Sequence, residues 1–189
     1  MFRRGFKTSS EETALKIRRK LGLAPNAPVD PAAIAKLLAI PIVVPAELSE
    51  MTDGVRDRLT QEHSEAWSAI TVSDGGQHLI VFNPAHAATR TKSSLAHEIA
   101  HVILGHEPST IFITPQSDVS LRTHNRDQEE EANWLAGCIL LPREALLYAR
   151  RLGLSNDEIC TRYGVSPAMC RFRVNATGVD VQMKRLGRG

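Results

Sequence analysis

The sequence contains few aromatic residues, few cysteines and little net charge. Only 5% of its 189 residues are aromatic, which disfavours the stacking surfaces that bind single-stranded nucleic acid. The formal net charge is +2, too small to indicate a polyanionic partner for the molecule as a whole. Its three cysteines form no close pair and match neither a zinc-ribbon nor a redox spacing. We therefore expect reduced thiols in a reducing compartment.

Long hydrophobic runs are missing as well. The basic start MFRRGFK is followed by polar and charged residues rather than by the apolar stretch of a secretory signal. No apolar run is long enough to span a bilayer. We therefore expect a cytoplasmic protein that is not associated with a membrane. The hydrophobic fraction of 42% is still sufficient for one sizeable core.

Local patterns predict a mixture of helices and strands. Ser9 or Ser10 suits the start of a first helix, and Asp30 followed by Pro31 suits the start of a second. The turn 73–76 predicts a hairpin, and two or three short helices should follow Pro142, one capped by Ser155 and the next starting at Ser166 and Pro167. Between the last two long helices lies a predicted loop of about twenty residues, a length often found at functional sites. The predicted helices are 9–21, 31–40, 91–104 and 127–141, and the predicted strands are 40–44, 54–59, 67–72 and 78–83.

The pattern H-E-x-x-H at 97–101 predicts a metal site. On a helix, His97 and His101 project from the same face, one turn apart, so both imidazoles can reach one ion. Glu98 lies about 100° around the helix from His97. That direction suits a general base that takes a proton from a water molecule at the metal. His106 follows the helix-ending Gly105 and is expected to be a cap or surface residue rather than a further ligand.

A third ligand is expected from the acidic segment that begins the helix 127–141. Glu129 and Asn133 are four residues apart and share a face. Glu129 is therefore favoured as the ligand, with Asn133 holding one histidine in place. Glu131 is the rival ligand. A site with three protein ligands leaves one position open, which is typical of catalytic zinc and argues against a purely structural ion.

Two stretches of the sequence resemble the ImmA/IrrE family of metallopeptidases. They are SLAHEIAHVILGH at 94–106 and EEEANWLAGCILLP at 129–142. The second is similar to the family pattern E-x-E-A-N-x-F-A-A-x-L-L-M-P, with mild replacements at Leu135, Gly137 and Leu141. The run PVDPAAIAKLLAIPIVV and Arg90 also fit the family. The likeness covers most of residues 8–142.

The resemblance implies an α+β fold: a small zincin-like metallopeptidase core with a short mixed sheet on the active-site helix, and a C-terminal helical extension. It implies Zn²⁺ held by His97, His101 and Glu129; the same ligand types also suit Mn²⁺. It further implies site-specific cleavage of a helix-turn-helix (Xre-like) repressor, which relieves repression of phage, mobile-element or stress genes. The predicted division is 1–48 for a helical N-terminal part of the core, 49–142 for the metallopeptidase core and 143–189 for a helical, helix-turn-helix-like extension.

Two further questions remain open in the sequence. We expect substrate to add as a strand to a sheet edge at 67–72 or 78–83, and His124 and Tyr148 are candidates for stabilising the oxyanion. The alternative function is that of a DNA-binding regulator, with Arg171 and Arg173 on a recognition helix near the C-terminus. After Pro142 there are nine basic and four acidic residues, a net charge of +5. Because this excess is modest, a docking surface for the repressor is favoured over DNA binding.

Overall fold

A computed structural model describes residues 2–49, 67–74, 76–106, 110–113, 119–122 and 125–187. The strand predicted at 54–59 lies outside these residues. The described strands are β1 (Ile42–Val43), β2 (Ala69–Asp74), β3 (Gln77–Phe82), β4 (Thr110–Ile113) and β5 (Val119–Arg122). The described helices are α1 (Phe6–Lys20), α2 (Pro31–Leu37), α3 (Ala88–Leu104), α4 (Arg126–Leu140), α5 (Arg143–Arg151), α6 (Asn156–Tyr163), α7 (Pro167–Thr177) and α8 (Val179–Leu186), with a short 3₁₀ turn at Pro45–Glu47.

The first helix begins earlier than the sequence predicts. It starts after Gly5, whose φ of +81° is a left-handed conformation. The expected capping residues Ser9 and Ser10 lie inside the helix, and both hydroxyls donate to the Phe6 carbonyl. Serine inside a helix commonly bonds back to the preceding turn in this way, so a serine pair alone does not fix where a helix begins. The Asp30 cap on α2 is confirmed by its hydrogen bond from the Ala32 N–H.

A three-stranded mixed sheet has the order β1-β3-β2. β2 and β3 form the predicted hairpin, with Ala69 opposite Phe82 and Thr71 opposite Ile80. β1 is parallel to β3. Because β3 lies between the other two strands, its region 78–83 is not an edge to which substrate can add. In the described part of the chain, β2 pairs with β3 alone.

The core joins α3 and α4 to each other and to the sheet. Both helices bury alanines, Ala96 and Ala100 on α3 and Ala132 and Ala136 on α4. Small side chains allow helices to approach closely. This close approach brings the flanking polar side chains of the two helices within bonding distance of one another.

The long stretch between α3 and α4, which the sequence predicts to be a loop, includes regular secondary structure. It contains an antiparallel pair of strands, β4 and β5. Each strand has only four residues, too few for a periodic pattern to stand out. Their β-branched and aromatic content (TIFI and VSLR) is the signal that favours strand.

Four short helices follow Pro142, rather than two or three. Ser155 caps α6 and Ser166 caps α7, as the sequence predicts for both. Gly164 and Gly178 adopt left-handed conformations that end α6 and α7. The side chains of Ile159, Tyr163, Cys170 and Val179 are fully buried in the same core as α3 and α4. None of the helices in the described residues is long and apolar enough to cross a membrane.

Candidate metal centre

His97 and His101 lie one turn apart on α3 and point the same way. Their Nε2 atoms are 3.0 Å apart, and their ring centroids are 4.6 Å apart. The helix is continuous through both residues and ends at Gly105, whose φ is +65°. The sequence spacing therefore produces the expected pair of converging imidazoles.

Glu129 completes a cluster of three possible ligands. It lies in the first turn of α4, which Asn125 caps. One Glu129 carboxylate oxygen is 3.3 Å from the Nε2 of His97, and the other is 3.3 Å from the Nε2 of His101. All three groups offer ligand atoms within 4.8 Å of one another.

These distances fit a small divalent ion. Two ligand atoms at about 2.0–2.1 Å from a tetrahedral zinc ion are separated by about 3.3 Å. The three separations in the cluster are 3.0, 3.3 and 3.3 Å. Two imidazoles and one carboxylate are also a common ligand set for catalytic zinc.

Glu131, the rival ligand, points elsewhere. Residues two apart on a helix lie about 200° around its axis, so Glu129 and Glu131 face different neighbours. One Glu131 oxygen is 3.4 Å from the Nε2 of His106, and the other is 3.6 Å from the Nε of Arg3. The geometry therefore brings Glu129, and not Glu131, to the paired histidines.

The outward nitrogens of both histidines also have partners. The Nδ1 of His97 lies 3.1 Å from the Oδ1 of Asn133, one turn along α4 from Glu129. The Nδ1 of His101 lies 3.0 Å from the Nδ1 of His106. A partner at Nδ1 favours the tautomer that leaves Nε2 unprotonated, as ion binding requires.

His106 caps α3 with its backbone, but its side chain is not a surface group. Its N–H donates to the His101 carbonyl, as expected for a residue that follows a left-handed glycine. Its imidazole is only 5% exposed. The turn at Gly105 directs this side chain back toward α4 rather than into solvent.

Glu98 is half-buried beside the sheet. The hydroxyl of Thr71 on β2 donates to Glu98 Oε2 over 2.6 Å. Burial raises the pKa of the Glu98 carboxyl above its usual value, and the Thr71 hydrogen bond offsets this rise only in part. A carboxyl with a raised pKa beside a metal site is well suited to accept and release a proton.

The protonation of His97 is also shifted. Burial lowers the pKa of this imidazole, but the hydrogen bond with Glu129 and the charges of Glu98 and Glu129 outweigh burial, so the pKa is raised. Because metal binding needs the neutral imidazole, protons and an ion compete for His97. The nearby carboxylates of Glu98 and Glu129 therefore favour the binding of either a proton or a metal ion at His97.

The structure describes one of the two candidates for oxyanion stabilisation. His124 lies outside the described residues. Tyr148 is on α5, where the Arg162 guanidinium stacks on its ring at 5.5 Å. The role of Tyr148 in oxyanion stabilisation stays a prediction.

The two arginines of the alternative DNA-binding function differ in exposure, because Arg171 is exposed and Arg173 is not. Arg173 is completely buried, where it pairs with Glu11 and its Nε donates to the Leu141 carbonyl over 3.0 Å. A buried side chain cannot contact phosphates or bases. The alternative that places Arg173 on a recognition surface is therefore wrong for this residue.

The fold and the site define an α+β zincin-like domain. The family model for Peptidase_M78, described as the IrrE N-terminal-like domain, matches residues 42–175. The chain belongs to this metallopeptidase family, and the predicted ImmA/IrrE resemblance and fold class are confirmed.

The comparison with curated proteins gave no match. Among solved structures, a Mycobacterium tuberculosis transcriptional regulator is similar, with a TM-score of 0.50 and 13% identity. The likeness covers 86% of this chain and 45% of that one, so this chain spans less than half the length of the regulator. At such low identity the likeness shows the fold alone.

Proposed function

We propose that the chain is a zinc-dependent endopeptidase that cleaves a protein substrate. The convergence of His97, His101 and Glu129 beside the half-buried carboxyl of Glu98 carries this proposal. Membership of a metallopeptidase family supports it.

His97, His101 and Glu129 would hold the ion. Zinc fits their separations and their nitrogen and oxygen donors, and manganese accepts the same donors. When bound, the ion supplies a Lewis acid that acidifies water and polarises a scissile carbonyl. Asn133 orients His97 by accepting its Nδ1 proton.

Glu98 would act as the general base. Its carboxylate takes a proton from the water molecule that attacks the scissile carbonyl carbon. It then delivers that proton to the departing amine, so that the carboxylate is regenerated and the peptide bond is cleaved. Thr71 holds one oxygen of Glu98 by its hydrogen bond, which leaves the other oxygen to face the reacting water.

The edge of β2 is the proposed place for substrate. Ser68 accepts a hydrogen bond from the Asn83 N–H, and partners alternate along an antiparallel ladder. The backbone groups of Ala69, Thr71 and Ser73 therefore point away from β3. An extended peptide added here would run beside Thr71, which itself contacts Glu98.

A helix-turn-helix (Xre-like) repressor is the proposed substrate, and its cleavage would relieve repression of phage, mobile-element or stress genes. Support comes from the family to which the chain belongs. The test incubates the zinc-loaded chain with the purified repressor encoded beside it, using chelator-treated chain as the control. A single cut that requires zinc is expected. An intact repressor would overturn the substrate, and cutting without zinc would overturn the metal dependence.

A further inference from the structure

We propose that His106 and Glu131 form a hydrogen-bond relay that fixes the tautomer and orientation of His101 for ion binding. This inference rests on the metal site of the proposed function, and it assigns positioning roles to two residues that do not themselves reach the ion. The relay crosses from α3 to α4 through two hydrogen bonds. It runs from His101 Nδ1 to His106 Nδ1 and from His106 Nε2 to Glu131.

The first contact dictates where the protons lie. Two Nδ1 atoms that are 3.0 Å apart bond only when one carries a proton and the other offers a lone pair. The Nε2 of His101 faces His97 and Glu129, where an ion needs its lone pair. The proton of a neutral His101 is therefore on Nδ1, and His106 Nδ1 is the acceptor.

The second contact follows from the first. A neutral His106 that accepts at Nδ1 carries its proton on Nε2. That nitrogen lies 3.4 Å from Glu131 Oε2, which accepts. Each donor in the relay then faces an acceptor. His101 donates to His106, and His106 donates to the Glu131 carboxylate.

Burial protects the relay from competing water. The side chain of His106 is 5% exposed and that of Glu131 is 15% exposed. Arg3 lies 3.6 Å from the second Glu131 oxygen, but because Arg3 is 66% exposed this ion pair is weak and screened. A carboxylate behind a histidine raises the basicity of the ligand in front of it.

The two metal-facing histidines are supported differently. His97 meets the neutral amide of Asn133 directly, whereas His101 reaches a carboxylate through a second imidazole. A single substitution at His106 therefore interrupts the support of one ligand while the other remains held. This asymmetry makes the relay separable from the rest of the site.

The test measures the zinc affinity of the full chain by competition with a chromophoric chelator. His106→Ala and Glu131→Gln should each weaken zinc binding, by roughly 10- to 100-fold for the loss of such a supporting partner. Glu130→Gln is the matched control, because Glu130 is the neighbouring carboxylate on α4 and pairs with Arg126 on the surface. Its zinc affinity should equal that of the wild type.

His106→Asn distinguishes positioning from packing. An asparagine oxygen can take the place of the His106 Nδ1 acceptor, but it offers no link to Glu131. Zinc affinity in this variant should recover above that of His106→Ala to the level of Glu131→Gln alone, and adding Glu131→Gln to it should have no further effect. Wild-type affinity in folded His106→Ala would overturn the relay. The relay would also be overturned if Glu131→Gln weakened zinc binding as strongly in the His106→Asn background as it does alone. It would be overturned as well if His106→Asn bound zinc no more tightly than His106→Ala.

His97→Ala separates this inference from the proposed function. If it abolishes tight zinc binding while the relay variants bind normally, the metal site stands and the relay is wrong. If His97→Ala also binds zinc normally, the metal site itself is wrong.

Discussion

The Glu98 carboxyl is the group on which the chemistry depends, and it is also a source of instability. Its side chain lies beneath β2, where burial raises its pKa. The folded chain therefore holds the Glu98 proton more tightly than the unfolded chain does. As pH rises from the ordinary carboxyl pKa through the raised one, the fold loses stability, and the full loss is present at all higher pH.

Glu98→Gln should therefore stabilise the metal-free chain at neutral pH. Glutamine carries no charge, and its carbonyl oxygen can still accept the hydrogen bond from Thr71. The free energy of unfolding in urea should rise relative to the wild type, and the difference should shrink as the pH is lowered and Glu98 becomes protonated. A variant less stable than the wild type at neutral pH would show that the ionised carboxylate does not destabilise the fold.

Thr71 should tune the pH dependence of cleavage. Its hydroxyl stabilises the charged form of Glu98 and so opposes the rise in the Glu98 pKa. Thr71→Val removes that donor and should raise the pKa further. Because the base must be ionised to act, the acidic limb of kcat/KM should move to higher pH. Thr71→Ser keeps the hydroxyl and should leave that limb in place; identical limbs for the valine and serine variants would contradict the account.

The strands and helices each contribute one part of the site. α3 supplies the two histidines and Glu98, α4 supplies Glu129, Asn133 and Glu131, and β2 supplies Thr71. Close packing of α3 on α4 brings the ligands together. The β2 edge that points away from β3 is the proposed place for substrate.

Ser73→Pro should weaken substrate binding. The Ser73 N–H points away from β3, so its loss leaves the hairpin ladder intact. One missing hydrogen bond, worth about 1 kcal/mol, should raise KM by about fivefold. Ser73→Ala is the control for the lost hydroxyl, which contacts His78. An unchanged KM in the proline variant would place the substrate elsewhere.

Sequence patterns that span only a few residues were sufficient to predict much of this fold. The H-E-x-x-H spacing, the hairpin turn and the Asp30 and Ser155 caps each act within a few residues, and the structure contains the elements that they predict. The Thr71–Glu98 and His106–Glu131 contacts join residues 27 and 25 positions apart. No periodicity encodes such pairings, because they depend on how closely the elements pack.

The C-terminal helices belong to the same core as the metal centre. Arg173 of α7 is buried, donates to the Leu141 carbonyl and pairs with Glu11 of α1. Arg18 of α1 is also buried, and it donates to the Ile139 carbonyl on α4. These bonds tie α1, α4 and α7 together, so residues beyond 142 help to hold the helix that carries Glu129.

Arg173→Met should destabilise the whole chain. It removes one partner of a largely buried ion pair, which typically costs about 3–5 kcal/mol, and it leaves the Leu141 carbonyl without this donor. The free energy of unfolding in urea should fall by about that amount in a single transition. Arg171→Met, at an exposed position on the same helix, should have little effect. Equal stabilities of the two variants would contradict the role given to Arg173.

The claim that Glu98 is the base of a metal-dependent peptidase is tested most directly by Glu98→Gln, with bound zinc and cleavage of the repressor measured on the same preparation. The variant should bind one zinc ion per chain, because His97, His101 and Glu129 are intact. Its cleavage rate should fall by at least about 100-fold, the usual contribution of a general base. Undiminished cleavage by the zinc-loaded variant would remove Glu98 from the reaction.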